Sequence, residues 1–177
     1  MDEVTFLITL IDENWTNATV DTGSGSNAFG DSPVGTSSHR AKPLLVDVKN
    51  FTPNKGRRVD IDSTDIIIFY EDSASISHPT IDYSVRNEEY TFTLHIRTLQ
   101  PRSGTADLTF ARERLKSLYQ IVRYILEKKA LRPSINAGDS AELIEITGRS
   151  DANDRNKRLL GYKLSVTMKR FGRTIVS

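Results

Sequence analysis

Tyr90-Thr91-Phe92-Thr93-Leu94-His95-Ile96-Arg97 alternates large apolar and polar side chains without a break. Successive strand residues point to opposite faces, so this spacing predicts a β-strand. Tyr90, Phe92, Leu94 and Ile96 would be buried, and Thr91, Thr93, His95 and Arg97 would face outward. Downstream, Leu108, Ala111, Leu115, Leu118, Tyr119, Val122, Ile125 and Leu126 recur at steps of three and four. That is one apolar stripe on an amphipathic helix of roughly six turns. A short strand around Leu143 to Thr147 follows, and then a long alternating one through Leu160, Tyr162, Leu164, Val166 and Met168. Strand, helix, strand, strand describes a scaffold with no reaction centre written into it.

Upstream, Ile66-Ile67-Ile68-Phe69-Tyr70 is a continuous apolar run, as expected of a buried central strand. The strand at 88–98 would be its antiparallel partner, with a polar connection at 72–87. Leu44-Leu45-Val46-Asp47-Val48 reads as a short strand. Val4, Leu7, Ile8, Ile11 and Trp15 have helical spacing and predict a short helix at 3–15, with Trp15 as its anchor on the core. Residues 17–42 are rich in Gly, Ser, Thr and Asn and read as a long flexible loop or arm. The expected fold is therefore α+β in a single domain spanning 1–177. It has a mainly antiparallel sheet with one long amphipathic helix packed on one face, plus the short N-terminal helix and the arm.

With 177 residues the chain can bury a real core, and 27% charged residues place it among water-soluble globular proteins. No run of 18 apolar residues occurs, so no membrane partner is expected. The acidic Met1-Asp2-Glu3 start offers no basic region for a signal peptide. Zero cysteines exclude disulfides, thiolate nucleophiles and thiolate metal sites. The net charge of +1 conceals an asymmetry. Residues 1–98 carry 8 Lys/Arg against 15 Asp/Glu, and residues 99–177 carry 16 against 8. A dipolar subunit of this kind would suit head-to-tail contacts between copies.

Tests for chemistry fail one by one. Gly23-Ser24-Gly25-Ser26-Asn27-Ala28 fits a loose dinucleotide fingerprint but lacks the preceding apolar strand and the following helix. Asp60, Asp62 and Asp65 could hold a divalent ion at strand-entry spacing, yet solvated turn carboxylates are the commoner arrangement. His39, His78 and His95 have no ligand spacing. No catalytic residue, cofactor or metal is therefore expected, and no enzymatic activity. The candidate residues are for interaction. They are Trp15; Arg112, Lys116 and Arg123 on the helix face away from the core; Arg149, Asp151, Asp154, Arg155 and Arg158 in a charged connection at 148–158; and Arg170 and Arg173 in the tail after Met168.

The order of these elements resembles the tail-terminator or tail-completion (neck) proteins of tailed viruses of bacteria and archaea. The likeness is carried by Leu7 to Trp15, Lys42-Pro43, Tyr90 to Arg97, Ala111 to Leu126, and Gly161-Tyr162-Lys163-Leu164-Ser165-Val166. It implies a structural virion protein, made in the host cytoplasm, whose copies form a hexameric ring. The ring would cap the tail tube, stop its polymerisation and join it to the head connector. Its implied partners are further copies of itself, the tail tube protein, a head–tail connector or adaptor protein, and DNA passing through the ring lumen. The arm at 17–42 is longer than a minimal member of that family requires. Two other expectations fit the same residues: a head–tail adaptor subunit, and a nucleic-acid-binding adaptor using the basic helix.

Overall fold

The computed structural model describes residues 2–23, 37–50, 65–79, 85–99, 105–127, 133–154 and 158–174. Among these residues a five-stranded sheet carries two α-helices on one face. In chain order the elements are α1 (Glu3–Gly23), β1 (Leu44–Asp47), β2 (Ile66–Ser77), β3 (Val85–Leu99), α2 (Thr105–Glu127), β4 (Leu143–Asp151) and β5 (Leu159–Thr174). The spatial order is β1-β2-β3-β5-β4. Only β1 and β2 pair in parallel; the other three pairings are antiparallel. The α+β class and mainly antiparallel sheet expected from the sequence are what the chain adopts.

The central strand behaves as its alternation dictates. Tyr90, Phe92, Leu94 and Ile96 are buried, and Phe92 and Leu94 lie opposite Val166 and Leu164 of β5. Ile67 and Phe69 of β2 share that face and its core, while Ile66 and Ile68 are buried on the other face. That is why the run shows no alternation. The outward face of β3 is less open than its polar residues suggest. Thr93 is buried, and its hydroxyl donates to Asp72 Oδ2 (2.6 Å). Asp72 sits in the β2 irregularity between Glu71 and Ser73, where an extra residue re-aims its side chain. The His95 ring lies tilted against that of Tyr70, with centres 4.9 Å apart, and burial, then Arg97 and Lys163, hold it below the ordinary imidazole range.

Two long helices cover the core, where the sequence indicates one long and one short. Asp2 caps α1, accepting the Thr5 backbone N–H (2.8 Å). That bond is the main reason its carboxyl lies below the usual range. The helix does not end at 15. Asn14, Thr19 and Thr22 donate their side chains to the carbonyls of Leu10, Trp15 and Ala18, four residues back. Polar residues that compete with a helix elsewhere are absorbed into this one. Trp15 donates Nε1–H to the Arg40 carbonyl (3.1 Å), and Arg40 returns a bond to the Thr19 carbonyl (3.1 Å). The expected arm thus loses 17–23 to helix and 37–40 to a 3-10 turn. Residues 24–36 lie outside the described residues.

Helix α2 is buried over more than one stripe. Ser117, Gln120, Ile121 and Tyr124 join the expected apolar residues because α1 packs beside it. Two further expectations are corrected. The polar segment 72–87 is a connection only in part, since β2 runs to Ser77 and β3 begins at Val85. Its Ser-rich composition hides strand pairing that β3 imposes from the side. Strand β4 continues past Thr147 to Asp151 through an irregularity between Ile146 and Gly148.

Gly161 shows how tightly β5 is held. A Cβ there would stand 2.9 Å from the Ile96 carbonyl oxygen and 3.0 Å from that of Ala152. Both are backbone atoms that cannot swing aside. Gly161→Ala is expected to cost about 1–3 kcal/mol, read as a lower urea midpoint; an unchanged midpoint would show that the neighbouring strands yield freely.

Candidate functional site

Three of the interaction residues read from the sequence converge on one cleft of about 400 Å³ between α2 and the β4–β5 end of the sheet. Arg112, Leu115 and Lys116 form its helical wall, spaced so that all three share one side of α2. Asp151 and Asn153 form the opposite wall, and Leu160 and Tyr162 of β5 contribute apolar surface. The β4 irregularity aims this wall. After it, Arg149 and Asp151 lie opposite Leu164 and Tyr162, on the helix-facing side of the sheet. The Arg149 guanidinium sits 4.7 Å from the Tyr119 ring centre and 5.0 Å from that of Tyr162, the two rings meeting edge to face at 5.7 Å. It is thereby fixed beside the cleft by cation–π contact. Asn153 Oδ1 accepts the Gly161 N–H (3.1 Å), which leaves its Nδ2 hydrogens for other partners.

Sequence reasoning also named residues that the fold takes out of play. Trp15 is buried as an anchor, so it offers no surface to a partner. Arg123 is spent on Glu127, four residues along the same helix (2.8 Å). Arg170 is the clearest correction. It is 1% exposed, with Nη1 at 3.3 Å from Glu3 Oε1, Nη2 at 3.3 Å from Asp139 Oδ2, and its guanidinium 5.0 Å from the Phe6 ring centre. Its strand position opposite Glu88 puts it under α1, not in a free tail. Asp154 lies beside the turn closed by its own mutual backbone bonds with Leu159 (both 2.9 Å). Arg158 is exposed in that turn with φ at 52°. Arg155 and the side chain of Arg173 lie outside the described residues.

Arg114, between Arg112 and Lys116 in sequence, is buried. Its Nε donates to Asp65 Oδ2 (2.8 Å) and its Nη1 to the His39 carbonyl (2.5 Å), while the Thr98 hydroxyl donates to Asp65 Oδ1 (2.6 Å). Asp65 is therefore engaged by an arginine and a threonine. Asp60 and Asp62 lie outside the described residues. Among the described residues no group of three or more His, Asp or Glu could hold a metal ion, and no helix is long and apolar enough to cross a membrane. The charge asymmetry is partly consumed inside the fold: Arg114–Asp65, Arg170–Glu3 and Lys169–Glu89 each join the basic half to the acidic half.

Around Arg170 lies a buried polar cluster. The Tyr90 hydroxyl donates to Glu88 Oε2 (3.1 Å), and Arg86 Nε stands 2.5 Å from Glu88 Oε1. Burial first, then the Glu3 and Glu88 carboxylates, push the Tyr90 hydroxyl up to about 12. An unfolded tyrosine ionises near pH ~10, so the folded state holds this proton longer. The stability it contributes is intact below about pH 10 and is lost as pH rises from about 10 to about 12. Urea midpoints across that window are expected to fall more steeply in the wild type than in Tyr90→Phe. Parallel curves would show that Tyr90 titrates normally.

The second exposed feature is the far end of the sheet. From Asp72 to Ser77, β2 is exposed throughout and has only β3 beside it among the described residues, because β1 stops opposite Phe69. Ile76 and Phe171 are the exposed large apolar side chains at this end. At the opposite edge of the sheet, β4 pairs with β5 and with no other strand among the described residues. Comparison of the chain with protein-family models finds no match, and comparison with curated proteins finds none either.

Proposed function

We propose that this protein is a structural subunit whose copies assemble into a closed ring, acting as a tail terminator or tail-completion protein of a tailed virus. The observation that supports the assembly is a pair of strand edges, on β2 past Glu71 and on β4, that have no further strand beside them among the described residues. Ser73-Ala74-Ser75-Ile76-Ser77 has no Lys or Pro to blunt it, and such an edge is a template for pairing with another chain. The strand directions suit that contact. β2 and β4 run oppositely, so the sheet of one copy can continue antiparallel from its β4 edge onto the β2 edge of the next. A contact between two different edges is head-to-tail, and repeated by rotation it closes into a ring. The placement at a viral tail rests on the resemblance in element order, and no catalytic step is assigned to the chain. A head–tail adaptor would use the same edges with different neighbours.

Light scattering of the purified protein, alone and with tail tube protein, tests this directly. The expected mass is a multiple of 19.9 kDa in at least one condition, with ring-shaped particles in negative stain. Ile76→Lys, which places a charge on the exposed edge, is expected to return the protein to monomer without loss of thermal stability. A strict monomer under both conditions would end the ring proposal.

A further inference from the structure

We infer that the α2–β4–β5 cleft is a nucleotide-binding site, built for a nucleoside monophosphate unit, free or within a single strand. Its cations are available. Neither Arg112 nor Lys116, one turn apart on the exposed side of α2, has an ion-pair partner among the described residues. Two free cations on one wall, with Arg149 pinned nearby by Tyr119 and Tyr162, form a phosphate-binding side.

The opposite wall decides between ligand classes. The Asp151 carboxylate also has no ion-pair or hydrogen-bond partner among the described residues, and Asn153 presents amide hydrogens with its oxygen already occupied. A carboxylate at that position repels an acidic peptide but accepts from the amino or imino hydrogens of a nucleobase. Between the walls, Leu115, Leu160 and Tyr162 supply the apolar surface that a base and its sugar would cover. The cleft is also of the size typical of small-molecule sites, at the lower end of their range. Anion-seeking wall, apolar floor and donor-seeking wall repeat the order phosphate, sugar, base. Nothing in this arrangement requires a ring, so it stands or falls separately from the assembly proposed above.

The test is titration of the full chain at low salt. The probes are cytidine and guanosine monophosphates, labelled single-stranded homopolymers of dC and dT, a duplex of equal length, inorganic phosphate and polyglutamate. Binding of the monophosphates or the single strands, more tightly than phosphate or duplex, is expected. Arg112→Ala and Lys116→Ala should each weaken it by about tenfold, and Asp151→Asn should change the preference among bases. All three positions are exposed, so unchanged melting temperatures will show that the variants fold. Monophosphates binding alone would identify a free nucleotide, and strands binding alone a single-stranded end; both support the site. Absence of binding, binding unaffected by the Arg112 and Lys116 variants, or displacement of a labelled strand by polyglutamate would overturn it.

Discussion

Replacing Arg170 by alanine is expected to destabilise the protein by about 3–4 kcal/mol, among the largest effects of any single substitution. The guanidinium is buried between Glu3 at the start of α1, Asp139 before β4 and the Phe6 ring. Removing it leaves the Glu3 and Asp139 carboxylates facing the vacated space beside Glu88 and Tyr90. It also removes the aliphatic stem that fills the space under α1. Glu3 and Asp139 keep about a fifth of their side-chain surface in water, so partial rehydration holds the loss at the lower end for a broken buried pair. Arg170→Met, which restores packing but not charge, should recover part of it. Equilibrium urea unfolding gives both numbers. A loss below about 1 kcal/mol for the alanine variant would mean that the cluster behaves as a surface salt bridge.

Arg114→Ala should cost about 3 kcal/mol. Here one side chain joins three segments: α2, the start of β2 through Asp65, and the 3-10 turn through the His39 carbonyl. Its loss removes the guanidinium from Asp65, whose Oδ1 keeps the Thr98 hydroxyl, and takes the Nη1 donor from the His39 carbonyl. Arg114→Lys should recover less than half, because an ammonium cannot span a carboxylate and a carbonyl with the planar fork of a guanidinium. The coupling is measurable. A cycle of Arg114→Ala with Asp65→Asn should give an interaction energy of about 1–3 kcal/mol, and additivity of the two variants would refute the pairing. Against a total stability of about 5–15 kcal/mol, either arginine is a large fraction.

These two arginines also mark where the sequence stops being legible. Period-two and period-three-to-four patterns report which apolar residues share a face, and for Tyr90 to Ile96 and for Leu115 to Ile125 they place the core correctly. An arginine carries no such signal. Arg112, Arg114 and Lys116 lie within five positions of one helix, yet only Arg114 is buried, because Asp65, 49 residues earlier, enters beside it. The early end assigned to α1 has a similar cause. Asn14, Thr19 and Thr22 are poor helix formers by composition, and their back-bonds plus the Trp15–Arg40 contact are tertiary facts. The strand nature of Ser73 to Ser77 is likewise supplied by the partner β3. Of the cleft, Arg112, Lys116, Arg149 and Asp151 were readable as exposed charges. Tyr119, Asn153 and Tyr162 were not readable as their neighbours, because the β4 irregularity that turns Arg149 and Asp151 toward α2 leaves no mark in the composition.

The strand order β1-β2-β3-β5-β4 sets how the chain reaches this state. The β2–β3 and β4–β5 pairings join strands adjacent in sequence and can form early. The seam between β3 and β5 joins Leu99 to Leu159 and Val85 to Thr174, so it closes only after α2 and β4 have been brought across. Two half-sheets held apart by a helix must then meet along the longest ladder in the protein. Pairing that distant in sequence places folding in the slower range for a domain of this size. The seam sets Phe92 and Leu94 opposite Val166 and Leu164, so neither half-sheet alone buries these four as the folded protein does. At high concentration, the halves of different chains can exchange along the same ladder.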